Sequence, residues 1–218
     1  CDHIVFYIES KNILSRFLLL TNRLNYYDSN DNHIELSENT SDKINISLQG
    51  KNNHVKIGKI TVSKKLNITF YSNYGELEIG QNTTFVESDI GINEKGKINI
   101  GNDCMFSHSI NLHQSDQHLI FDMRSKKRIN HTKSITIGNH VWVGRNVMIL
   151  GGANVGDGSI IGAGAVIVST FGKNKIMVGN PAKVIRENII WSRDLIKNGN
   201  HIEDFSECKD KNALKYIE

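Results

Sequence analysis

Three histidines and two carboxylates crowd one stretch of this 218-residue chain, SHSINLHQSDQHLIFD, which carries His108, His113, Asp116, His118 and Asp122. Imidazole titrates near neutrality, so each ring can take a proton from a reacting group or ligate a metal as the neutral base. Three imidazoles with an open fourth position would suit a catalytic zinc. Asp116 and Asp122 either orient one of these rings or stand as solvated loop carboxylates. Four basic residues follow at once in FDMRSKKRIN, namely Arg124, Lys126, Lys127 and Arg128. They are either a solvated charge run or a platform for an anionic ligand. A nucleophilic thiol is the other chemistry to weigh. Cys104 occupies the fifth, inward position of IGNDCM, where a small buried thiol is the better reading.

The frame for these residues shows just downstream. Residues 137–172 are six consecutive six-residue units, IGNHVW, VGRNVM, ILGGAN, VGDGSI, IGAGAV and IVSTFG. Each opens on an aliphatic residue (Ile137, Val143, Ile149, Val155, Ile161, Ile167), and the fifth positions are mostly small or β-branched. A period of six fits neither an α-helix nor simple alternation. It fits a coil of three flat faces, about 18 residues around, stacked on the next coil at about 4.8 Å. Glycine and asparagine recur between faces because they tolerate positive φ. The expected class is all-β, a parallel β-helix of hexapeptide repeats.

Pairs that open a coil lie at Ile57-Gly58, Ile79-Gly80, Ile100-Gly101, Ile137-Gly138 and Val155-Gly156, at spacings of 22, 21, 37 and 18 residues. The first two are one coil with corner insertions, and the last is one clean coil. The 37 is a coil plus 19 residues, which must leave the prism as a loop over roughly residues 119–133. Upstream, HIEL (His33 to Leu36) and KINISL (Lys43 to Leu48) alternate as strands of irregular first coils.

Both ends read differently. Residues 4–8 look like a short strand, and Ile13, Leu14, Phe17, Leu18, Leu20 and Leu24 make a helical apolar stripe. Past the single proline, in GNPAKVI, the residues Ile189, Ile190, Trp191, Leu195 and Ile196 suggest a C-terminal helix. The expected division is an N-terminal segment 1–30, a β-helix domain 31–186, and a helical extension 187–218. The chain opens on Cys1 without methionine and reads as a piece of something longer.

Composition narrows the partners. A net charge of +3 admits an acidic ligand but falls short of a nucleic-acid arm. The three cysteines (Cys1, Cys104, Cys208) show no paired spacing, which fits a reducing compartment. No apolar run approaches 18 residues, so a soluble cytoplasmic protein without a membrane span is expected.

ITIGNHVWVGRNVMILGGANVGDGSIIGAGAVI followed by GNPAKVI resembles the hexapeptide-repeat acyltransferases of the left-handed β-helix fold. The nearer branches are the galactoside, maltose and capsular-sugar (sialic acid) O-acetyltransferases. The resemblance is specific from Ile100 to Glu187, vague over 33–99 and absent over 1–30. It implies an acetyl-CoA-dependent transfer to a sugar hydroxyl of a bacterial capsular or surface glycan, direct from the thioester and without metal. It assigns His118, in SDQHLI, as general base, and Trp142, 24 residues on, as the aromatic beside the thioester. The cofactor arm would meet Arg145, Gly162, Ala163, Val168 and Ser169, with Lys183 and Arg186 near the nucleotide phosphates. A cyclic homotrimer with its sites at the subunit seams is implied too. On the acceptor side stand Asp116 and the basic run Arg124, Lys126, Lys127 and Arg128, suited to an anionic glycan. Two departures are visible. Ser169 replaces a lysine or similar polar residue, and Asn130 and His131 stand where the galactoside and maltose branches carry an acid.

Other readings remain. An N-acetyltransferase acting on an amino sugar or nucleotide sugar would use the same base. His113 and His118 make H-x4-H, which resembles γ-class carbonic anhydrases, although Val86 to Asp89 offers no histidine on the preceding coil. A non-catalytic binding solenoid would need a flat repeated outer array, and Asn139, His140, Arg145, Asn146 and Asp157 form none.

Overall fold

The computed structural model describes residues 7–10, 16–20, 23–27, 29–37, 40, 43–195, 202–210 and 212–216. It is a parallel β-solenoid with three faces. One face stacks His33–Ser37, His54–Ile57, Glu76–Ile79, Lys97–Ile100, Ile135–Ile137, Asn154–Val155 and Thr170–Phe171. The long strands Thr61–Phe70 and Thr84–Ile92 bend around a corner and serve both other faces. The second face continues through Met105–Phe106, Trp142–Val143, Ile160–Ile161 and Lys175–Val178. The third runs from Ile44–Leu48 to Ile110–His113, Met148–Leu150 and Val166–Ile167.

The coil-opening residues pair as their spacing requires: Ile57 with Ile79, Ile79 with Ile100, Ile100 with Ile137, and Ile137 with Val155. Alternation along each short strand turns these aliphatics into the prism, where all are buried. Parallel strands buried from inside need every amide paired, and the stacked coils supply those bonds. Phe85 and Phe106 fill the wider early coils as stacked rings 4.6 Å apart. One corner places Asn82, Asp103, His140, Gly158 and Asn174 at φ between 51° and 66°. Beside it a side-chain ladder satisfies the backbone: Asn102 Oδ1 accepts from Gln81 N (2.8 Å), and Asn139 Oδ1 from Asn102 N (2.9 Å). The asparagines that precede the left-handed residues thus cap the corner that those residues turn.

The structure corrects both ends. Phe17, Leu18, Leu20 and Leu24 lie in no helix; Arg16–Leu20 and Arg23–Tyr27 form an antiparallel hairpin paired onto His33–Ser37. The first coil would otherwise leave an open strand edge, and a hairpin completes its ladder where a helix cannot. Of the expected first strand, 4–8, the described part lies within Tyr7–Ser10, parallel to Ile44–Leu48. Ile13 and Leu14 fall outside the described residues.

The C-terminal helix is also corrected. Lys183–Glu187 is a strand antiparallel to Lys175–Val178, and residues 188–195 follow without helix. Their groups bond the solenoid instead: Ile189 N donates to Asn174 O (3.1 Å), and Trp191 Nε1 to His140 O (2.9 Å). Those bonds replace the i to i−4 ladder a helix would need. Only short 3₁₀ turns, Phe205–Glu207 and Asn212–Tyr216, occur beyond among the described residues, and Ile196 lies outside them. Among the described residues no helix is long and apolar enough to cross a membrane.

Cys104 is fully buried, its Sγ 3.1 Å from Gly138 O, and burial pushes the thiol up to about 12. A thiol-disulfide reagent at pH 8 should therefore leave Cys104 unmodified until the fold is unfolded. Cys104→Ala should lower stability by about 1 kcal/mol, read by denaturant titration.

Candidate functional site

The excess residues leave the solenoid after Ile110–His113 and rejoin it at Ile135–Ile137, at the corner between the third and first faces. They fold as a small hairpin. Ile129 N donates to Ile120 O and Asp122 N to Lys127 O, each at 2.9 Å, and Phe121 bridges Arg128. Asp122 closes the turn, its carboxylate accepting from Ser125 N (2.6 Å) and Ser125 Oγ (2.7 Å). The backbone bond above all holds that carboxyl below its usual range. Asp122 is therefore a turn-former.

His118 sits at the base of this hairpin in a second tight turn. His118 N donates to Asp116 O (2.7 Å) across Gln117, which adopts φ 62°. Asn130, from the returning strand, clamps the turn. Its Nδ2 donates to His118 O (2.7 Å) and Asp116 Oδ2 (3.1 Å), while its Oδ1 accepts from Ile120 N (2.8 Å). Asp116 is thereby fixed beside His118 through the Asn130 amide. The His118 side chain is exposed.

Below the turn lies an open cleft lined by His113, Asp116, Asn130, Lys133, Leu150 and Val168. His113 is half-buried, and burial lowers its pKa, with Asp89 opposing. Its ring packs against Gly91 of the preceding coil, where a Cβ would stand 2.4 Å from His113 Nδ1.

The hairpin is tied to the prism by Glu94. One carboxylate oxygen pairs with Arg128 Nη1, and the other accepts from Thr132 Oγ1 at 2.8 Å. Arg128 also donates to Asn130 O at 3.0 Å. Of the basic run, Arg124, Lys126 and Lys127 are exposed, whereas Arg128 is engaged as an anchor. The bond from Arg128 foremost holds Glu94 below the usual carboxylate range.

The remaining expected residues fall on separate parts of the prism. Trp142 projects from the second face, 38% exposed, between Met105 and Ile160. Arg145, Gly162 and Ala163 stack at the corner between the second and third faces, linked where Gly164 N meets Arg145 O at 2.8 Å. Val168 and Ser169 lie at the corner from which the loop departs, and Lys183 and Arg186 are exposed on Lys183–Glu187. Within one chain, the corner that carries His118 and the face that carries Trp142 are distinct. His108 is at the corner before the third face, apart from His113 and His118. Among the described residues no three His, Cys, Asp or Glu side chains cluster as they would around a metal ion.

Sequence reading missed the positioning residues. Glu94 sits in an ordinary polar turn, GINEKGK, and nothing in its spacing marks it. Asn130 had one signal, standing where an acid was expected.

Comparison with known proteins defines the class. The bacterial transferase hexapeptide (six repeats) family matches residues 134–169. A polysialic acid O-acetyltransferase of Neisseria meningitidis is 37% identical over 152 residues, 69% of this chain and 70% of the relative. A second such enzyme, of Escherichia coli O1:K1 / APEC, is 37% identical over 62% of this chain, which spans only 43% of that relative's length. The solved structure of a polySia-specific acetyltransferase superposes with a TM-score of 0.66 at 32% identity, covering 83% of this chain and 89% of the other. The chain belongs to the hexapeptide-repeat transferase family, and is an acyltransferase by that relationship.

The Glu94 anchor has a testable pH dependence. Its lowered carboxyl means the anchor is fully present above the ordinary value of 4.5 and is lost as pH falls through the lowered folded value. Protection factors of the hairpin amides should stay high at neutral pH and fall only in acid below that ordinary value. Glu94→Gln should bring fast exchange, and tryptic cleavage at Lys126, to neutral pH.

Proposed function

We propose that this protein acetylates a hydroxyl of an anionic capsular or surface glycan, drawing the acetyl group from acetyl-CoA in the cytoplasm. The observation that carries the reading is the Asn130 clamp, which holds the turn bearing His118 beside a cleft that Asp116 and Asn130 line. The names of the relatives agree with it. A sugar hydroxyl is a poor nucleophile at neutral pH, so its proton must leave as attack proceeds. The His118 imidazole takes that proton while the hydroxyl oxygen bonds the thioester carbon. The carbon–sulfur bond then breaks, the acetyl ester forms, and the proton passes to the departing coenzyme A thiolate. Trp142 packs beside the thioester, and Arg145, Gly162, Ala163, Val168 and Ser169 line the path of the arm. Lys183 and Arg186 meet its phosphates.

The site is shared between chains. His118 and Trp142 lie on distinct parts of one prism, so a site containing both draws them from two copies in a cyclic homotrimer. The loop suits such a seam: Leu119, Ile120, Phe121, Met123 and Ile129 are 47–80% exposed in the single chain. A cluster of that kind marks an interaction surface. Arg124, Lys126 and Lys127, on the same hairpin, face the acceptor. Arg128 holds the loop in shape.

His118→Ala should lower kcat by about two or more powers of ten with the KM for acetyl-CoA little changed. An equal loss in both parameters, or none, would contradict the base assignment. For an anionic polymer such as polysialic acid, acceptor KM should climb steeply with added salt, since exposed charges are screened over roughly 8 Å at physiological ionic strength. Changing Arg124, Lys126 and Lys127 to glutamine should flatten that dependence and spare kcat. A wild-type enzyme that preferred a neutral sugar, with no salt effect, would remove the loop from acceptor binding.

A further inference from the structure

The segment that replaced the expected C-terminal helix runs directly beside Trp142. Trp191 is 5% exposed and its ring centroid lies 5.9 Å from that of Trp142, tilted by 44°. Trp191 is itself held from every side. Its ring stacks on His140 at 3.9 Å and 13°, its Nε1 donates to His140 O at 2.9 Å, and its carbonyl lies 3.1 Å from His140 Nε2. His140 Nδ1 lies 2.8 Å from Asp103 Oδ2, and Tyr216 stacks on the same imidazole at 5.3 Å. Arg193 then fastens the segment to the coil below. It donates to Asp103 Oδ1 (2.9 Å), Asp103 O (2.8 Å), Cys104 O (2.8 Å) and Thr84 Oγ1 (3.1 Å), with its guanidinium 5.9 Å from the Trp191 ring.

This set of bonds is more than a tail needs merely to cover the solenoid. An outward-facing tryptophan on a flat β face, flanked by Met105 and Ile160, has several staggered rotamers open to it. A rigid aromatic wall on one side removes some of them. The wall is fixed by the corner where Asp103 and His140 both turn at positive φ, so it is built on the prism itself.

We infer that Trp191 is a positioning residue for Trp142, so that residues 191–193 form part of the acetyl-donor site. This rests on the reading of Trp142 as the residue beside the thioester. Trp191 touches neither reactant; it acts by limiting where the Trp142 ring can stand. The effect belongs to acetyl-CoA and not to the glycan, because Trp191 reaches the site only through Trp142, the residue read as lying beside the thioester.

A double-mutant cycle on the full chain tests it. Acetyl-CoA affinity is measured by calorimetry, and KM and kcat by coenzyme A release, for the wild type, Trp191→Leu, Trp191→Phe, Trp142→Ala and Trp142→Ala/Trp191→Leu. Trp191→Leu leaves a smaller apolar side chain at the buried position and Trp191→Phe keeps a ring, both without the bond to His140 O, so thermal melts identify any variant that has merely lost its fold. The expected result is that Trp191→Leu weakens acetyl-CoA by about three- to tenfold, within the range of coupling between neighbouring side chains. Trp191→Phe should stay close to wild type, acceptor KM should not move, and Trp191→Leu should add nothing once Trp142 is alanine. If the losses from Trp191→Leu and Trp142→Ala multiply, or Trp191→Leu shifts acceptor KM equally, Trp191 is not positioning Trp142. If Trp142→Ala by itself leaves acetyl-CoA binding and turnover intact, the donor-site reading fails and the inference falls with it.

Discussion

The register of parallel coils constrains everything else in this molecule. Each coil must return to the same face after a whole circuit, because its amides have no other partners than the coils above and below. Insertions can be absorbed only at corners, and a large one must leave the prism. The step from Ile100 to Ile137 is such an insertion, and it exits where the third face meets the first. Loop position, the turn holding His118 and the cleft beneath it all follow from that one break in the stack. Rigid scaffolds commonly carry their chemistry on such departures.

The loop is then shaped by few interactions, each with a separable task. Asp122 closes the outer turn through Ser125, Asn130 binds the inner turn around His118, and Glu94 fastens the returning strand through Arg128 and Thr132. One consequence is a division of labour within a single basic run. Arg128 is turned inward to an anchoring carboxylate, which leaves Arg124, Lys126 and Lys127 as the charges facing outward. The exposed apolar residues on either side of them suit a hairpin that packs against a second copy while keeping its basic tip near an acceptor.

Much of this was legible because the solenoid writes its geometry into local spacing. The Ile-Gly pairs foretold the pairing register, and Cys104 lies buried as its place in the hexapeptide implied. What failed was the reading of both ends, for one reason. Phe17, Leu20 and Leu24 recur at intervals a helix would favour, and so do the aliphatics around Trp191, but periodicity ignores what the neighbouring coil offers. At the start, an open strand edge drew Arg16–Leu20 and Arg23–Tyr27 into a hairpin. At the end, His140 and Asp103 offered polar partners that Trp191 and Arg193 took in place of helical bonds. Glu94 and Asn130 were illegible as anchors because their partners lie at positions 128–132 and 116–120, set by the loop's three-dimensional return.

On the proposed reading, His118 and Trp142 serve one site from two different chains. Complementation tests it directly: His118→Ala and Trp142→Ala, each inactive or crippled alone, are coexpressed and purified as mixed assemblies. In a randomly mixed cyclic trimer about one seam in four pairs an intact His118 with an intact Trp142 from its neighbour. Recovery of about a quarter of wild-type activity is expected, disappearing when the assemblies are sorted back to single-variant trimers. Mixed assemblies no more active than their parents would contradict it.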